Sequence, residues 1–198
     1  MSKKIFDTIV IGGGAIGTSV SYHLSKLGAR NLLVEKNKLT SGTTWHSAGL
    51  LWQLRPSDVE IRLIKHTRDL AMGKLEKESG QSCGWVNTGG LFIADHENRL
   101  REYKRLQSLG KVFNIDSQIL SPAEIRKVHP LLNTSDIIGG LYAPGDGTID
   151  PSGITNSYAR AAKKNNCEIL EDTNVSELLF SAGNITGIKT SQGDFHAD

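Results

Sequence analysis

Residues 5–17 of the chain read Ile5-Phe6-Asp7-Thr8-Ile9-Val10-Ile11-Gly12-Gly13-Gly14-Ala15-Ile16-Gly17. The apolar run over residues 5–11 is rich in β-branched side chains and predicts a buried parallel strand. Residues 12–17 fit the pattern G-x-G-x-x-G, whose glycines permit a tight turn, a close approach to a pyrophosphate and close packing of a helix. The order of strand and glycines therefore predicts the start of a dinucleotide-binding unit.

The glycines lead into a predicted helix over residues 15–27. One face of this helix carries an apolar stripe that we expect to face the core: Ile16, Val20, Leu24 and Leu27. Gly28 suits the C-terminal cap of the helix. The N-terminus of the helix offers unpaired N–H groups and the positive end of a dipole to a diphosphate.

A second predicted strand, over residues 31–34, ends at Glu35. Glu35 lies 18 residues after Gly17, close to where the dinucleotide fingerprint places a carboxylate that binds ribose hydroxyls. Because a carboxylate at this place would repel a 2′-phosphate, the sequence disfavours NADP. FAD and NAD both remain open at this point.

His46 lies in the run Thr43-Thr44-Trp45-His46-Ser47-Ala48-Gly49-Leu50, shortly after the acidic strand end. A histidine on the loop directly after a dinucleotide unit would lie near the reactive end of the cofactor. Neutral imidazole is a good nucleophile, so this residue could bond covalently to the 8α carbon of a flavin. The alternative is a histidine whose ring hydrogen-bonds the backbone of its own loop.

Composition narrows the classes of protein that the chain can represent. The chain has 198 residues, a formal net charge of +2 and 22% charged residues, which indicates neither a nucleic-acid footprint nor an acidic tail. Its two cysteines, Cys83 and Cys167, lack C-x-x-C spacing and suggest reduced thiols. We predict no metal site, no nucleic-acid partner and no membrane span, and no targeting extension is visible.

The motifs together resemble a known family. Residues 12–50 are similar to the flavin-binding start of the D-amino-acid-oxidase superfamily, and the Trp45-His46 pair resembles that of dimethylglycine and sarcosine dehydrogenases. Further stretches resemble sarcosine dehydrogenases more closely: residues 50–58, 87–94, 103–106 and 146–151. The resemblance extends over essentially the whole chain.

The resemblance implies cofactor contacts at the matched positions only. The pyrophosphate contacts would be Gly12, Gly14, Ala15, Ile16 and Gly17, and the adenosine ribose contacts Glu35 and Lys36. The loop around the flavin would be Gly42, Thr43, Thr44, Trp45, His46, Ser47, Ala48, Gly49 and Leu50, with His46 bonded to the 8α carbon. Val175 would touch the adenine through its backbone, although an ordinary strand valine is the alternative. We predict no catalytic residue, since Arg55 and His66 are of types that are more often structural.

The resemblance also implies a reaction and partners. FAD would oxidise the N-methyl group of sarcosine, giving glycine and formaldehyde or a one-carbon unit bound to tetrahydrofolate. Electrons would then pass to an electron-transfer flavoprotein. Tetrahydrofolate would bind in a C-terminal part that this chain lacks. The implied location is the mitochondrial matrix, and the cytoplasm is the alternative because no transit peptide is visible.

The expected fold class is α/β: a Rossmann-type FAD-binding domain with an inserted α+β substrate-type domain, truncated at the C-terminus. Residues 1–79 would form the first part of the FAD-binding domain, residues 80–143 an incomplete inserted domain and residues 144–198 the incomplete second part. The last segment is predicted to hold a third parallel strand and an antiparallel meander.

Three functional alternatives follow from the sequence. The first is the N-terminal portion of a sarcosine dehydrogenase-like enzyme, and the second a dimethylglycine dehydrogenase-like enzyme. The third is a non-catalytic, truncated FAD-binding fragment. Because family members are several times longer, we expect the chain alone to be inactive.

Overall fold

The computed structural model describes residues 5–198. The strands are β1 (Ile5–Phe6), β2 (Thr8–Ile11), β3 (Asn31–Val34), β4 (Leu50–Leu51), β5 (Gly90–Ala94), β6 (Gln118–Leu120), β7 (Gly139–Ala143), β8 (Gly147–Thr148), β9 (Cys167–Leu170), β10 (Val175–Ser181), β11 (Asn184–Thr190) and β12 (Gly193–Ala197). The α-helices are α1 (Ala15–Lys26), α2 (Asp58–Asp69), α3 (Leu75–Ser79), α4 (Glu97–Val112), α5 (Pro122–Val128) and α6 (Pro151–Lys163). Within this part of the chain, no helix combines the length and apolar character needed to cross a bilayer.

The chain divides into two compact units. The first comprises the described residues up to Gly49 together with Leu70–Gly84 and Ile149–Asp198, and the second comprises Leu50–Asp69 and Trp85–Thr148. These boundaries differ from the predicted ones, because β4 pairs with β8 in a small antiparallel sheet of the second unit. That these units are an FAD-binding domain and a substrate domain stays a prediction.

A parallel sheet of order β2-β3-β9 lies at the centre of the first unit. Its middle strand is buried along its length, and Leu32, Leu33 and Val34 are inaccessible to solvent. The register aligns Ile11 with Val34, and Val34 with Leu170. The three carboxyl ends therefore share one edge, where ligands bind in open α/β sheets. The predicted α/β class and the parallel pairing of three strands are confirmed.

A second sheet in this unit has the order β1-β12-β11-β10 and contains the predicted antiparallel meander. The prediction of one continuous strand over residues 5–11 is wrong, since β1 pairs with β12 whereas β2 pairs with β3. The chain changes sheets at Asp7, whose carboxylate accepts the Arg30 N–H at 2.7 Å. A shared core of Phe6, Leu32, Val34 and Ile188 packs between the sheets.

Helix α1 buries a different face from the one predicted. Ile16 and Leu27 of the apolar stripe are 82% and 84% exposed. The buried residues are mostly small or hydroxylated: Thr18, Ser21, Tyr22 and Ser25. Ser25 donates to the Ser21 carbonyl and accepts from the Asn31 side chain at 2.7 and 2.8 Å. The Tyr22 hydroxyl donates to Glu78 at 2.8 Å, whereas the buried Ser21 hydroxyl has no hydrogen-bond partner within residues 5–198. Small side chains allow α1 to pack closely against β3 and α6.

The second unit has a three-stranded antiparallel sheet of order β5-β7-β6, against which α4 and α5 pack. The sequence Ser121-Pro122-Ala123-Glu124 predicts a helix start, and α5 begins there. The Ser121 N–H donates to the Glu124 carboxylate at 2.8 Å, and the Ser121 hydroxyl accepts from the Glu124 N–H. Bonds from Ser121 lower the pKa of Glu124. This reciprocal cap fixes the start of the helix.

The sequence over residues 58–79 predicts a single helix, but the structure interrupts it. A π-helical turn at Leu70–Lys74 separates α2 from α3, and Gly73 within it has φ of +135°. The break coincides with the boundary between the two units. The apolar spacing of this segment predicts that Val59 and Leu63 face the core, but they are 59% and 62% exposed, whereas Ile61 is fully buried.

Candidate functional site

The glycine loop over residues 12–17 is shaped by close backbone contacts. Gly12 has φ of +109°, a conformation that favours glycine. A Cβ on Gly17 would lie 1.9 Å from the carbonyl oxygen of Gly12, so no larger residue fits at that position. Gly14 is the N-cap of α1 and provides no side-chain cap. The N–H groups of Ile16 and Gly17 have no partner within residues 5–198, so they are free to bind an anion.

Glu35 braces this loop from the end of β3. One carboxylate oxygen accepts the Gly13 N–H at 2.7 Å, and the other accepts the Asn37 N–H at 2.8 Å. Each carboxylate oxygen has two acceptor positions. Glu35 can therefore hold the glycine loop and still accept bonds from ribose hydroxyls.

A cavity of about 260 Å³ lies at the carboxyl edge of the parallel sheet. Four residues assigned to the cofactor by sequence line it, namely Gly12, Glu35, Lys36 and Val175. The other lining residues are Ile11, Val34, Thr173 and Asn174. The fold thus brings residues from three separate stretches of sequence together around one cavity.

Thr44 connects the predicted flavin loop to helix α1. A 3-10 turn covers Thr44–His46, and the Thr44 hydroxyl oxygen accepts the Ala15 N–H at 3.1 Å. A Cβ on Gly14 would lie only 3.0 Å from this hydroxyl oxygen. The residues predicted around the flavin are therefore attached to those predicted around the pyrophosphate.

The side chain of His46 is exposed beside Trp45. Their ring centroids are 3.9 Å apart in an edge-to-face arrangement, and Trp45 is 61% exposed. The His46 backbone N–H donates to the Thr43 carbonyl at 3.1 Å. The structural alternative for His46 requires a bond from its ring to the loop backbone, and the described part of the chain contains none. The imidazole of His46 is therefore accessible to solvent.

The remaining predicted residues differ in their surroundings. Gly42, Ser47 and Ala48 are exposed, and the Ser47 hydroxyl accepts the Gly49 N–H at 3.2 Å. Gly49 has φ of +69°, and a Cβ there would lie 2.1 Å from the Ile149 carbonyl oxygen. Leu50 begins the second unit, so the structure groups it apart from the other predicted residues.

Sequence reasoning missed two residues beside the cavity. Gly13 donates to Glu35, and a Cβ there would lie 2.5 Å from the Leu39 side chain. Thr173 is fully buried, and its N–H donates to the Glu35 carbonyl at 2.9 Å. Thr173 could have been found, because it follows β9 much as Glu35 follows β3 and the two strands are parallel neighbours. No sequence signal distinguishes Gly13 from a spacer position in the motif.

Ionic and backbone contacts fasten the loops at this edge to each other. Glu171 accepts the Leu39 N–H at 2.7 Å. The neighbouring Asp172 pairs with Lys38, and this contact raises the pKa of Lys38. The loop after β3 is thus held against the loop after β9, which places Lys36 and Val175 beside the same cavity.

Comparison with known proteins agrees with this arrangement. The protein named "Sarcosine dehydrogenase, mitochondrial" from Homo sapiens is 48% identical over 193 residues, covering 94% of this chain and 21% of that protein. The "Pyruvate dehydrogenase phosphatase regulatory subunit, mitochondrial" of Mus musculus is 37% identical over 188 residues, covering 94% and 21%. The "Dimethylglycine dehydrogenase, mitochondrial" of Rattus norvegicus is 34% identical over 197 residues, covering 99% and 23%. The chain spans about a fifth of the length of these relatives.

A solved structure and a family match cover nearly the whole chain. The crystal structure of L-proline dehydrogenase from P. horikoshii matches with a TM-score of 0.89 and 28% identity, covering 98% of this chain and 51% of that one. The family described as "FAD dependent oxidoreductase" matches residues 7–198. The predicted fold class is confirmed, and the chain belongs to the family of FAD-dependent oxidoreductases.

Proposed function

We propose that the first unit binds FAD through its adenosine diphosphate half. The observation that carries this proposal is the cavity lined by Gly12, Glu35, Lys36 and Val175. The free N–H groups of Ile16 and Gly17 at the start of α1 suit a diphosphate, and Glu35 retains acceptor positions for ribose hydroxyls. The residues present therefore fit the cofactor that the family name implies.

His46 is the proposed site of covalent attachment. Its ring is exposed, and no bond to the described residues occupies its nitrogens. Attachment would join an imidazole nitrogen to the 8α carbon of FAD with loss of one hydrogen from each. Dioxygen would accept the two hydrogens with their electrons, leaving hydrogen peroxide and an oxidised, bonded cofactor.

The proposed reaction of the protein containing this chain is oxidation of the N-methyl group of sarcosine. FAD would accept a hydride equivalent from the methyl carbon, and the resulting imine would hydrolyse to glycine and formaldehyde or transfer its one-carbon unit to tetrahydrofolate. Electrons would pass on to an electron-transfer flavoprotein, and the proposed location is the mitochondrial matrix. The identity to the human sarcosine dehydrogenase supports this choice over dimethylglycine, to whose rat dehydrogenase the identity is lower.

A second candidate function is non-catalytic. The similarity to a protein named as a phosphatase regulatory subunit favours considering a module that binds FAD without oxidising an amine. The two candidates differ in one measurable property. An enzyme reduces an electron-acceptor dye when sarcosine is added, whereas a non-catalytic module stays oxidised.

Acid denaturation tests the covalent bond. In the complete protein that contains this chain, we expect flavin fluorescence to stay on the denatured polypeptide. His46→Ala should release all flavin on denaturation, and replacing the exposed His129 in the same way should release none. Flavin that washes free from the unaltered protein, or that stays attached in His46→Ala, would show that His46 is not the attachment site.

A further inference from the structure

Thr44 supplies a helix cap from a distant part of the chain. Its hydroxyl oxygen accepts the N–H of Ala15, the first residue of α1, from 29 positions along the sequence. This N–H is among those that a helix cannot satisfy by itself. The N-cap residue Gly14 has no side chain that could accept it. Thr44 therefore takes the role that an N-cap side chain usually has.

The same bond joins the turn that carries His46 to the start of α1. The other hydrogen bonds of the turn are internal, since the His46 N–H donates to the Thr43 carbonyl and the Ser47 N–H to the Thr44 carbonyl. Within residues 5–198, no further hydrogen bond joins residues 43–47 to a distant segment. The flanking residues are tethered as well, since the Thr40 N–H donates to the Gly13 carbonyl and the Gly49 carbonyl accepts the Ile149 N–H. Within the turn itself, the Thr44 side chain supplies the hydrogen bond that holds the exposed His46 ring against the start of α1.

We propose that Thr44 is a positioning residue for covalent attachment of FAD, an inference that rests on the function proposed above. The diphosphate would bind at the N–H groups of Ile16 and Gly17, so the start of α1 fixes one end of the cofactor. Thr44 fixes the His46 turn to that same point. Bond formation requires the reacting atoms to be held in close and correct alignment, and a displacement of about 1 Å costs on the order of a hundredfold in rate.

Reversible binding of FAD depends less on the Thr44 hydroxyl than covalent attachment does. Replacing Thr44 by valine preserves the shape of the side chain but removes the acceptor. The freed Ala15 N–H still points from the start of α1, where a diphosphate oxygen can accept it. The substitution should therefore slow attachment much more than it weakens binding.

The test uses the complete protein, prepared without flavin and then mixed with FAD. We expect Thr44→Val to slow the appearance of acid-stable flavin fluorescence at least tenfold, whereas Thr44→Ser, which keeps the hydroxyl, should stay within threefold of the unaltered protein. Thr67→Val is the matched control, because it removes a hydroxyl that donates to a backbone carbonyl at 3.0 Å in α2. It should leave the rate unchanged.

Binding is measured separately in a His46→Ala background, which forms no covalent bond. There Thr44→Val should change the Kd for FAD less than threefold. A loss of affinity equal to the loss of rate would show a binding or folding role and overturn the inference. The inference is also overturned if Thr44→Val and the unaltered protein attach FAD covalently at the same rate. If the unaltered protein binds FAD but never attaches it, the covalent proposal at His46 fails first, and the role of Thr44 falls with it.

Discussion

Two acidic side chains, one in each unit, differ in how the fold satisfies them. Glu35 in the first unit accepts a backbone N–H on each carboxylate oxygen, from Gly13 and from Asn37. Asp146 in the second unit is fully buried. One of its oxygens accepts the Gln53 backbone N–H at 3.0 Å and the Gln53 side-chain amide at 3.1 Å. Its other oxygen, Oδ2, has no partner among the described residues.

The two carboxylates differ in whether their surroundings come from nearby or from distant parts of the sequence. Glu35 is part of a local motif whose backbone donors come from the loops at the ends of β2 and β3. Asp146 lies in a turn between β7 and β8, and its surroundings come from segments far apart in sequence. A Cβ on Gly90 would lie 2.7 Å from its unpartnered oxygen, so this oxygen packs directly against backbone. Burial raises the pKa of Asp146, and the bonds from Gln53 oppose that rise.

The largest expected effect concerns the backbone that Glu35 braces. Gly17→Ala would place a Cβ 1.9 Å from the Gly12 carbonyl oxygen. We expect a loss of about 3 kcal/mol in the free energy of unfolding, because α1 must move away from the glycine loop. Urea unfolding measures the change. Gly42→Ala is the control, since a Cβ there meets no atom within 4 Å, and equal stability losses in both variants would contradict the argument.

The next effect concerns Glu35 itself. Glu35→Gln replaces one accepting oxygen by an NH₂ group that faces a backbone N–H. We expect about 1–2 kcal/mol of lost stability, together with weaker FAD binding in a His46→Ala background. If Glu35 only bound ribose, its replacement would weaken FAD binding and leave the free energy of unfolding unchanged. Glu177→Gln removes an exposed ion pair with Lys189 and serves as control, since exposed pairs contribute little.

The sequence predicts those features of the fold that depend on residues close together along the chain. The Ser121–Glu124 cap of α5 and the Gly12 turn each depend on residues within a few positions, and both are found where the sequence placed them. The apolar stripe of α1 was misassigned because the buried face of α1 depends on what packs against it. The buried Ser25 hydroxyl accepts from the Asn31 side chain, and that pairing depends on the packing of α1 against β3.

The residues of the candidate site also divide into those that short motifs identify and those that only tertiary packing brings together. The glycines, Glu35 and His46 belong to motifs with fixed spacing, so sequence alone could select them. Thr173 and the cap from Thr44 to Ala15 depend on which loops meet at the edge of the sheet. Asp146 lies in a stretch that resembles sarcosine dehydrogenases, but no short sequence motif predicts that its carboxylate is buried with one oxygen unpartnered.

The smallest expected effect tests the Asp146 half of the comparison. Because the folded-state pKa of Asp146 is raised, the folded chain holds its proton more tightly than the unfolded chain does. The stability from this group is therefore fully present below the ordinary aspartate pKa and is lost as the pH rises through the raised value.

Asp146→Asn keeps an oxygen to accept the Gln53 donors and cannot ionise. Relative to the unaltered protein, this variant should gain unfolding free energy as the pH rises from acidic to neutral. Urea unfolding across that range measures the gain, and Asp116→Asn, at an exposed position in the same unit, should show none. A constant difference between Asp146→Asn and the unaltered protein would mean that solvent or a cation reaches Oδ2, and the contrast with Glu35 would then disappear.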